Sequence, residues 1–342
     1  MARCIEIAKN AMGTAPPNPM VGAVIVSEDR IIGEGYTSAF GGPHAEVNAF
    51  DSVKDASLLP KATLYVTLEP CSHYGKTPPC ADLILESGIP NVVIGIEDPN
   101  EKVAGSGIQR LQQGGCKVIT GVLAQKCRDH HRRFLTYHEK KRPYVILKWA
   151  ESADGYIAPE SNMRESNPKP YWISSKESRQ LVHKWRSEEQ AILVGTNTAL
   201  QDNPSLTTRM WKGINPIRVL LDRNLKVSQN FKLFSGNTPT LVLTHKANQK
   251  DTPGVEYITL PKEEFDAQGI LKALWERGIS SIIVEGGKKV LDLFLHEELW
   301  DEARIFTGTE SLDGGLKAPN IKRENAELLE VGADELKIIR ND

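Results

Sequence analysis

The chain has 342 residues, more than a single hydrophobic core supports in most proteins, so its length predicts two domains. Hydrophobic residues make up 40% and charged residues 25% of the sequence, values typical of a soluble globular protein. The formal net charge is −2 and no dense run of Lys and Arg occurs, which argues against broad binding to duplex nucleic acid. No apolar run approaches the roughly 20 residues that cross a bilayer, so we expect no membrane partner.

Cysteine usage indicates the cellular compartment. The five cysteines are an odd number without a paired framework, and the N-terminus lacks the pattern of a signal peptide. Both observations predict a reducing compartment, and we expect the cytoplasm. Cys4, Cys116 and Cys127 are expected to pack as small apolar residues.

The first 120 residues alternate between helical and strand patterns with short connections, which predicts an α/β layered sheet. The predicted elements are, in order, a helix over residues 3–12, a hairpin of PPNPMVGAVIV with RIIGEGYT, a helix from His44 to about Asp51, the strand ATLYVTLEP, the helix CADLILESG, the strand NVVIGIEDP and the helix GIQRLQQGG.

Three side chains that can bind metals, His44, Cys71 and Cys80, occur in this half, and Glu46 follows the histidine by two residues. Two thiolates and an imidazole form a borderline-soft ligand set that suits zinc, and three protein ligands leave a fourth position for water. A carboxylate beside that water can take its proton and pass it to a leaving amine. The order is the H-x-E…P-C…C pattern of zinc-dependent base deaminases, and Glu46 is the predicted catalytic residue.

A closed structural zinc site is the alternative interpretation of this pattern. The usual second half is P-C-x-x-C, whereas here SHYGKTPP separates Cys71 from Cys80, and His73 could provide a fourth ligand. Against this alternative, Glu46 has no role in a closed site. Cys80 also begins a predicted helix, whose dipole favours a thiolate. We therefore expect an open catalytic site with one zinc ion per chain.

The charged, helical pattern of residues 122–142 predicts that this segment contains the last helix of the first domain and the connector to the second. His130, His131 and His138 lie in this segment among many Lys and Arg residues. We interpret them as part of a solvated helix face rather than as metal ligands.

A second α/β pattern begins at Tyr144. A capping-box sequence, Ser174-Ser175-Lys176-Glu177, predicts a helix through Arg186, and the polar segment 161–170 predicts a mobile loop. The other predicted elements are the strands YVILKWA, AILVG, IRVLLD, TLVLTH, SIIVEGG and ARIFTG and the helix KKVLDLFLHEEL. No G-x-G-x-x-G follows a strand, so the common dinucleotide fingerprint is absent. The turn in VEGGKKV either binds a phosphate at its helix N-terminus or is a tight turn with no ligand.

Several motifs, taken together, resemble one enzyme family over essentially the whole chain. PNPMVGAVIV, PHAEVNA, VTLEPCSHYGKTPPC and DPNEKVAGSGI are similar to the deaminase half of the bifunctional deaminase/reductase family of riboflavin biosynthesis. LKWAESADG, WISS, HKWRSEEQAILVGTNTALQDNPSLTTR, NPIRVLLD and IIVEGG are similar to its reductase half. The resemblance implies a cytidine-deaminase-like three-layer α/β/α domain over residues 1–142 and a dihydrofolate-reductase-like α/β domain over residues 143–342.

For the first domain, the resemblance implies hydrolytic removal of the amine at C2 of a 2,5-diaminopyrimidinone ribotide. Asn18 and His73 would contact the ring of this substrate. Lys76, Asp98 and Asn100 would lie around its sugar phosphate, with Lys76 as the expected partner of the phosphate.

For the second domain, the resemblance implies reduction of the ribosyl chain by NADPH. The implied cofactor contacts are Ala150, Trp172, Thr198, Asp202, Gly286 and Gly287. The implied substrate contacts are Lys148, Arg186, Leu206, Arg209 and Glu285. Without the motif, Arg186 and Arg209 would be interpreted as members of surface salt bridges. Lys148 and Asp202 are both polar candidates near the carbon that accepts hydride.

Two other functions remain open at this point. The first-domain residues also permit deamination of a free nucleoside or of an RNA base, although no interleaving of basic and aromatic residues indicates an RNA path. The second domain could also have lost cofactor binding. The resemblance further implies a homo-oligomer, a dimer or a tetramer, with a small-molecule substrate and no nucleic-acid partner.

Overall fold

The computed structural model describes residues 1–74, 78–100, 104–160, 168–321 and 325–342. The chain divides into two compact units, Met1–Lys141 and Arg142–Asp342. Within the described residues, no helix combines the length and the apolar character needed to cross a membrane. Both units contain sheets covered by helices, as an α/β fold requires.

The first unit is built on a five-stranded sheet in the order β2-β1-β3-β4-β5. Its strands are β1 (Gly22–Ser27), β2 (Arg30–Tyr36), β3 (Thr63–Leu68), β4 (Asn91–Ile96) and β5 (Lys117–Thr120). β1 pairs antiparallel with β2 and β3, whereas β3, β4 and β5 are mutually parallel. The hairpin and the two following strands confirm the sequence prediction, and β5 was not predicted.

Helices cover both faces of this sheet. They are α1 (Ala2–Ala8), α2 (Ala45–Asp51), α3 (Cys80–Glu86), α4 (Ser106–Gln113) and α5 (Ala124–Glu139), with short 3-10 helices at Lys9–Ala11 and Ala56–Lys61. Cys4 and Ile7 of α1 pack against Val24, on the face that α5 also covers. α2, α3 and α4 pack on the opposite face, where Ile25 and Leu64 lie. The predicted three-layer α/β/α arrangement is therefore confirmed.

The predicted solvated histidine face of α5 is wrong for two of its three residues. His131 is buried, and its Nε2 lies 3.0 Å from Oγ1 of Thr67 on the sheet. Nε2 of His130 lies 2.7 Å from the carbonyl oxygen of Met20. The basic residues around them predicted exposure. The helix instead directs these two imidazoles towards the carbonyl oxygen of Met20 and the hydroxyl group of Thr67.

The second unit contains a nine-stranded sheet in the order β11-β10-β9-β8-β12-β6-β13-β16-β15, and a two-stranded sheet of β14 and β7. The strands are β6 (Tyr144–Glu151), β7 (Tyr156–Ala158), β8 (Ala191–Gly195), β9 (Ile217–Leu221), β10 (Thr240–Thr244), β11 (Val255–Thr259), β12 (Ser281–Val284), β13 (Glu302–Thr307), β14 (Leu316–Lys317), β15 (Ala326–Val331) and β16 (Asp334–Arg340). From β11 to β13 neighbouring strands are parallel, and β16 and β15 are added antiparallel.

Four helices of the described part of the unit cover the large sheet. They are α6 (Lys176–Glu188), α7 (Thr196–Asp202), α8 (Ala267–Trp275) and α9 (Lys288–His296), with 3-10 helices at Lys232–Phe234 and Lys262–Glu264. α8 and α9 pack on one face, while α6 and α7 pack on the other. Oγ of Ser175 accepts the N–H of Ser178 at 3.2 Å, so Ser175 caps α6, one residue later than the capping box of Ser174 and Glu177 predicts. Most of the predicted mobile loop, residues 161–167, lies outside the described residues.

The buried His131 leads to a prediction about acid stability. Burial, followed by the charge of His130, lowers the pKa of His131 well below its usual value. Since the unfolded chain binds this proton more readily, the stabilisation is complete above a pH of about 6.5 and is lost as the pH falls below it. We expect urea denaturation between pH 7.5 and 5 to show a smaller loss of stability in His131→Gln than in the unmodified chain. His296→Gln, at an exposed position, is the control and should leave the pH dependence unchanged.

Candidate functional site

His44 and Glu46 are positioned by the start of α2. His44 is the N-cap residue in an extended conformation, and Glu46 lies in the first turn with 4% of its surface exposed. α2 lies close to β2 because Gly35 faces it, where a Cβ would overlap the carbonyl oxygen of Ala45. Burial, followed by the charge of Cys71, raises the pKa of Glu46 to about 7. The carboxyl group of Glu46 thus lies inside the unit beside the potential ligands.

Cys71 and Cys80 approach His44 from two other elements. Cys71 follows β3, and Cys80 is the first residue of α3. The N–H of Cys80 points to Sγ of Cys71 at 3.4 Å. Nδ1 of His44 lies 3.7 Å from Sγ of Cys71 and 3.3 Å from Sγ of Cys80. All three ligand atoms lie within 4.8 Å of one another.

This donor set fits zinc. Zn–N and Zn–S bonds of normal length at a tetrahedral angle separate nitrogen from sulfur by roughly 3.6 Å, close to both observed distances. A hydrogen bond between the two thiols lowers the pKa of Cys71 and raises that of Cys80. Among the described residues the cluster has three members, and the exposed His73 is not one of them. The alternative of a closed site with His73 as fourth ligand is therefore not supported.

The predicted substrate residues of this unit lie in three segments. Asp98 and Asn100 follow β4, and the N–H of Asn100 donates to Oδ1 of Asp98 at 2.8 Å. Burial raises the pKa of Asp98 to about 6, although the hydrogen bond from the N–H of Asn100 opposes this effect. Asn18 is half-buried in the loop before β1, and Lys76 lies outside the described residues.

Glu69 is a buried residue of this site that sequence reasoning missed. It precedes Cys71 by two residues, and its carboxylate accepts the backbone N–H groups of Asp98, Gly105, Gly107 and Ile108. A charged residue directly after a buried apolar strand was the available signal, because a buried carboxylate must find several donors.

The predicted substrate residues of the second unit converge on one cavity of about 290 Å³. Its lining includes Lys148, Ala150, Trp172, Arg186, Thr198, Asp202, Leu206, Arg209, Glu285 and Gly287. Arg186 and Glu285 form a bidentate pair with N–O distances of 2.6 and 3.1 Å. Because only 11% of the Arg186 side chain and 9% of the Glu285 side chain are exposed, the interpretation of Arg186 as part of a surface salt bridge is wrong. Burial lowers the pKa of the neighbouring Lys148, although Glu285 opposes the effect.

A larger cavity of about 750 Å³ lies where β8, β9 and β12 end, and shares Thr198 and Gly287 with the smaller one. Gly286 lines it, and so do the basic residues Arg223, Lys226, Lys288 and Lys289. Gly287 has a φ of +67°, and a Cβ there would lie 2.9 Å from Oγ1 of Thr198. The size, the basic lining and the open glycine turn fit a phosphorylated dinucleotide such as NADPH.

Two further residues of α6 contribute to the smaller cavity. Nδ1 of His183 accepts the N–H of Arg209 at 3.0 Å, and burial, followed by the charges of Arg186 and Arg209, lowers the pKa of His183 to about 4. Arg179 lies over the ring of Trp172 at 4.8 Å and donates to the carbonyl oxygen of Ser174. Arg179, His183 and Arg186 are spaced four and three residues apart, so helical periodicity was the available signal.

Comparison with known proteins finds the same two halves. Residues 143–325 match the RibD C-terminal domain, and residues 1–96 match the cytidine and deoxycytidylate deaminase zinc-binding region. The chain is 40% identical to the riboflavin biosynthesis protein RibD of Aquifex aeolicus, over 92% of this chain and 88% of that protein. It is also 40% identical to RibD of Bacillus amyloliquefaciens, over 94% of this chain and 86% of that protein.

Among solved structures, the chain is similar to a diaminohydroxyphosphoribosylaminopyrimidine deaminase/5-amino-6-(5-phosphoribosylamino)uracil reductase from Thermotoga maritima. The TM-score is 0.87 with 40% identity, covering 99% of this chain and 97% of that one. RibD of Acinetobacter baumannii gives a TM-score of 0.87 with 30% identity, again over 99% of this chain.

The ligand cluster predicts which cysteines retain zinc. Cys71→Ser and Cys80→Ser should each lower the zinc content from about one ion per chain to near zero after dialysis against a chelator, because two ligands do not form a tetrahedral site. Elemental analysis of the purified variants measures this. Cys116→Ser, whose thiol donates to the carbonyl oxygen of Ile89, is the control. Equal zinc loss from all three variants would show that these cysteines are not the ligands.

Proposed function

The chain belongs to the RibD family of riboflavin biosynthesis, and from this premise we propose which residues of its two units act on one pyrimidine ribotide. It is a bifunctional enzyme with a zinc-binding deaminase domain and an NADPH-dependent reductase domain. The proposed substrate is 2,5-diamino-6-ribosylamino-4(3H)-pyrimidinone 5′-phosphate, and the product is 5-amino-6-ribitylaminouracil 5′-phosphate. The convergence of His44, Cys71 and Cys80 beside the buried Glu46 carries this proposal.

In the first unit, His44, Cys71 and Cys80 would hold zinc, which supplies Lewis-acid activation of water when bound. Water adds at C2 of the ring, the bond from C2 to the amine breaks, and ammonia leaves. Glu46 takes one proton from the water and delivers it to the ring nitrogen, and then carries the second proton, from the hydroxyl group formed at C2, to the departing amine. Its position in the first turn of α2 keeps the carboxyl group against the ligand cluster throughout these transfers.

Substrate binding in this unit is assigned to residues around that cluster. Asn18 and His73 would contact the ring, while Asp98, Asn100 and Lys76 would lie near the sugar phosphate. The hydrogen bond from the N–H of Asn100 to Oδ1 of Asp98 supports the assignment, because it holds the two residues together in one turn.

In the second unit, bound NADPH would supply hydride chemistry for reduction of the opened ribosyl chain at C1′. Gly286, Gly287 and Thr198 would contact the cofactor, together with Ala150, Trp172 and Asp202 at the smaller cavity. Arg209, Leu206 and the pair of Arg186 with Glu285 would hold the sugar phosphate. Because Arg186 is already paired with Glu285, Arg209 is the more available partner for the phosphate.

The proposed roles of Glu46 lead to a test of the deaminase. Glu46→Gln retains the shape of the side chain but removes the group that moves protons, so ammonia release should fall at least about 100-fold. Reduction of the already deaminated intermediate should stay unchanged, because that reaction takes place in the second unit. Ammonia release without NADPH, followed by NADPH consumption, is measured on the same samples. Retained deamination in this variant would contradict the assignment of Glu46.

The proposed phosphate contact leads to a test of the reductase. Arg209→Gln removes a charged partner of the phosphate, so the KM for the deaminated ribotide should rise about 10- to 100-fold. The Kd for NADPH, followed by fluorescence, should change little. Arg277→Gln is a suitable control because Arg277 forms an exposed pair with Glu256. An unchanged KM in Arg209→Gln would remove Arg209 from the substrate site.

A further inference from the structure

We propose that Glu69 is a positioning residue of the deaminase site, which joins the metal-binding loop to the segment that holds Asp98 and Asn100. We call this arrangement the Glu69 clamp, defined by the Glu69 carboxylate and its four backbone donors, Asp98, Gly105, Gly107 and Ile108. The inference rests on the proposed function of the first unit, because the segment matters to catalysis only if it binds substrate.

Each oxygen of the Glu69 carboxylate accepts two backbone N–H groups. Oε2 accepts the N–H of Asp98 at 3.1 Å and that of Gly105 at 3.0 Å. Oε1 accepts the N–H of Gly107 at 2.9 Å and that of Ile108 at 3.2 Å. Only 4% of the surface of Glu69 is exposed. One side chain therefore connects the end of β4 with the first turn of α4.

The chemistry of the donors explains why a carboxylate occupies this position. The first N–H groups of a helix have no acceptor within the helix, and the helix dipole favours a negative charge beside them. A carboxylate accepts at both oxygens, whereas the amide of glutamine accepts at only one atom. Replacement by glutamine would turn an NH₂ group towards two backbone N–H groups and leave both without an acceptor.

The metal-binding loop is held against the same helix. The chain at Pro70 passes so close to α4 that a Cβ on Gly107 would overlap the carbonyl oxygen of Pro70. Oγ of Ser72 lies 2.6 Å from Oγ of Ser106, and Arg110 donates to the carbonyl oxygen of Ser72 at 3.0 Å. Cys71 lies between Pro70 and Ser72, so its position depends on α4.

The helix that carries Cys80 is joined to α4 as well. Arg110 donates to Oδ2 of Asp82 at 2.8 Å and lies 2.5 Å from Oδ1. Asp82 is in the first turn of α3, two residues after Cys80. The segments that carry Cys71, Cys80 and Asp98 are thus all held against α4. Glu69 makes the connection between α4 and Asp98.

The Glu69 clamp acts on substrate through Asp98 and Asn100. Glu69 fixes the backbone of Asp98, and Oδ1 of Asp98 in turn accepts the N–H of Asn100. Loss of the clamp should loosen this turn while Glu46 and the zinc ligands remain in place. The expected signature is a weaker affinity for the ribotide with little change in the rate of the bound complex.

The experiment compares Glu69→Gln with Glu86→Gln, an isosteric change at an exposed position of the same unit. In Glu69→Gln we expect the KM for deamination to rise about tenfold, kcat to stay within about threefold and zinc to remain bound. Glu69→Asp keeps the charge but shortens the side chain, so its KM should lie between those of Glu69→Gln and Glu86→Gln. An unchanged KM, or a fall in kcat that accompanies zinc loss without a change in KM, would overturn the proposal.

Amide hydrogen exchange provides a readout that does not depend on activity or on the folding of a variant. In the unmodified chain, the N–H groups of Gly107 and Ile108 should exchange at least about tenfold more slowly than that of Glu177 in the first turn of α6, because Glu69 accepts them. Exchange as fast as that of Glu177 would overturn the Glu69 clamp. If the unmodified chain releases no ammonia, the proposed function fails, while slow exchange of these two groups still establishes the clamp.

Discussion

The first unit depends on the convergence of three side chains from separate elements within 4.8 Å. His44 precedes α2, Cys71 follows β3 and Cys80 begins α3, so the spacing of these elements determines whether a metal can bind. The close approach of α2 to β2 requires glycine at position 35. The loop that carries Cys71 is held in place by contacts of Ser72 with α4. β2 and β3 run in the same direction because both are antiparallel to β1, so the segments that follow them reach the same edge of the sheet and their side chains can meet.

The second unit is organised by buried charge rather than by metal ligands. The lining of the smaller cavity includes four basic side chains but two carboxylates, Asp202 and Glu285, and the basic ones are Lys148, Arg179, Arg186 and Arg209. Burial raises the pKa of Glu285, but Arg186 and Lys148 outweigh this effect and lower it. A cavity with excess positive charge and low exposure favours an anionic ligand, since the ligand supplies the charge that the protein lacks. The basic residues of the larger cavity extend the same preference.

The sequence predicted residues whose chemistry is carried by their own side chains. His44, Glu46, Cys71 and Cys80 form a pattern because a metal site needs particular ligands, and the structure brings the three ligands together. Glu69 was missed because its partners are backbone N–H groups. Every residue except proline has such a group, so the sequence does not show which of them will bind a carboxylate. His131 was misassigned because local charge predicted exposure, whereas the packing of α5 on the sheet decided its environment. α7 and β5 were missed since short elements have little periodicity of their own.

The position of the metal ligands along the chain has a consequence for how the protein is made. His44 precedes Cys71 by 27 residues and Cys80 by 36, and all three belong to a unit that ends at Lys141. Because domains generally fold as units and N-terminal domains fold first during synthesis, the metal site can form while the ribosome is still adding residues of the second unit. Bound metal then closes two loops of the nascent chain and limits its return to unfolded conformations. We therefore expect the supply of zinc during translation to affect the yield of folded protein.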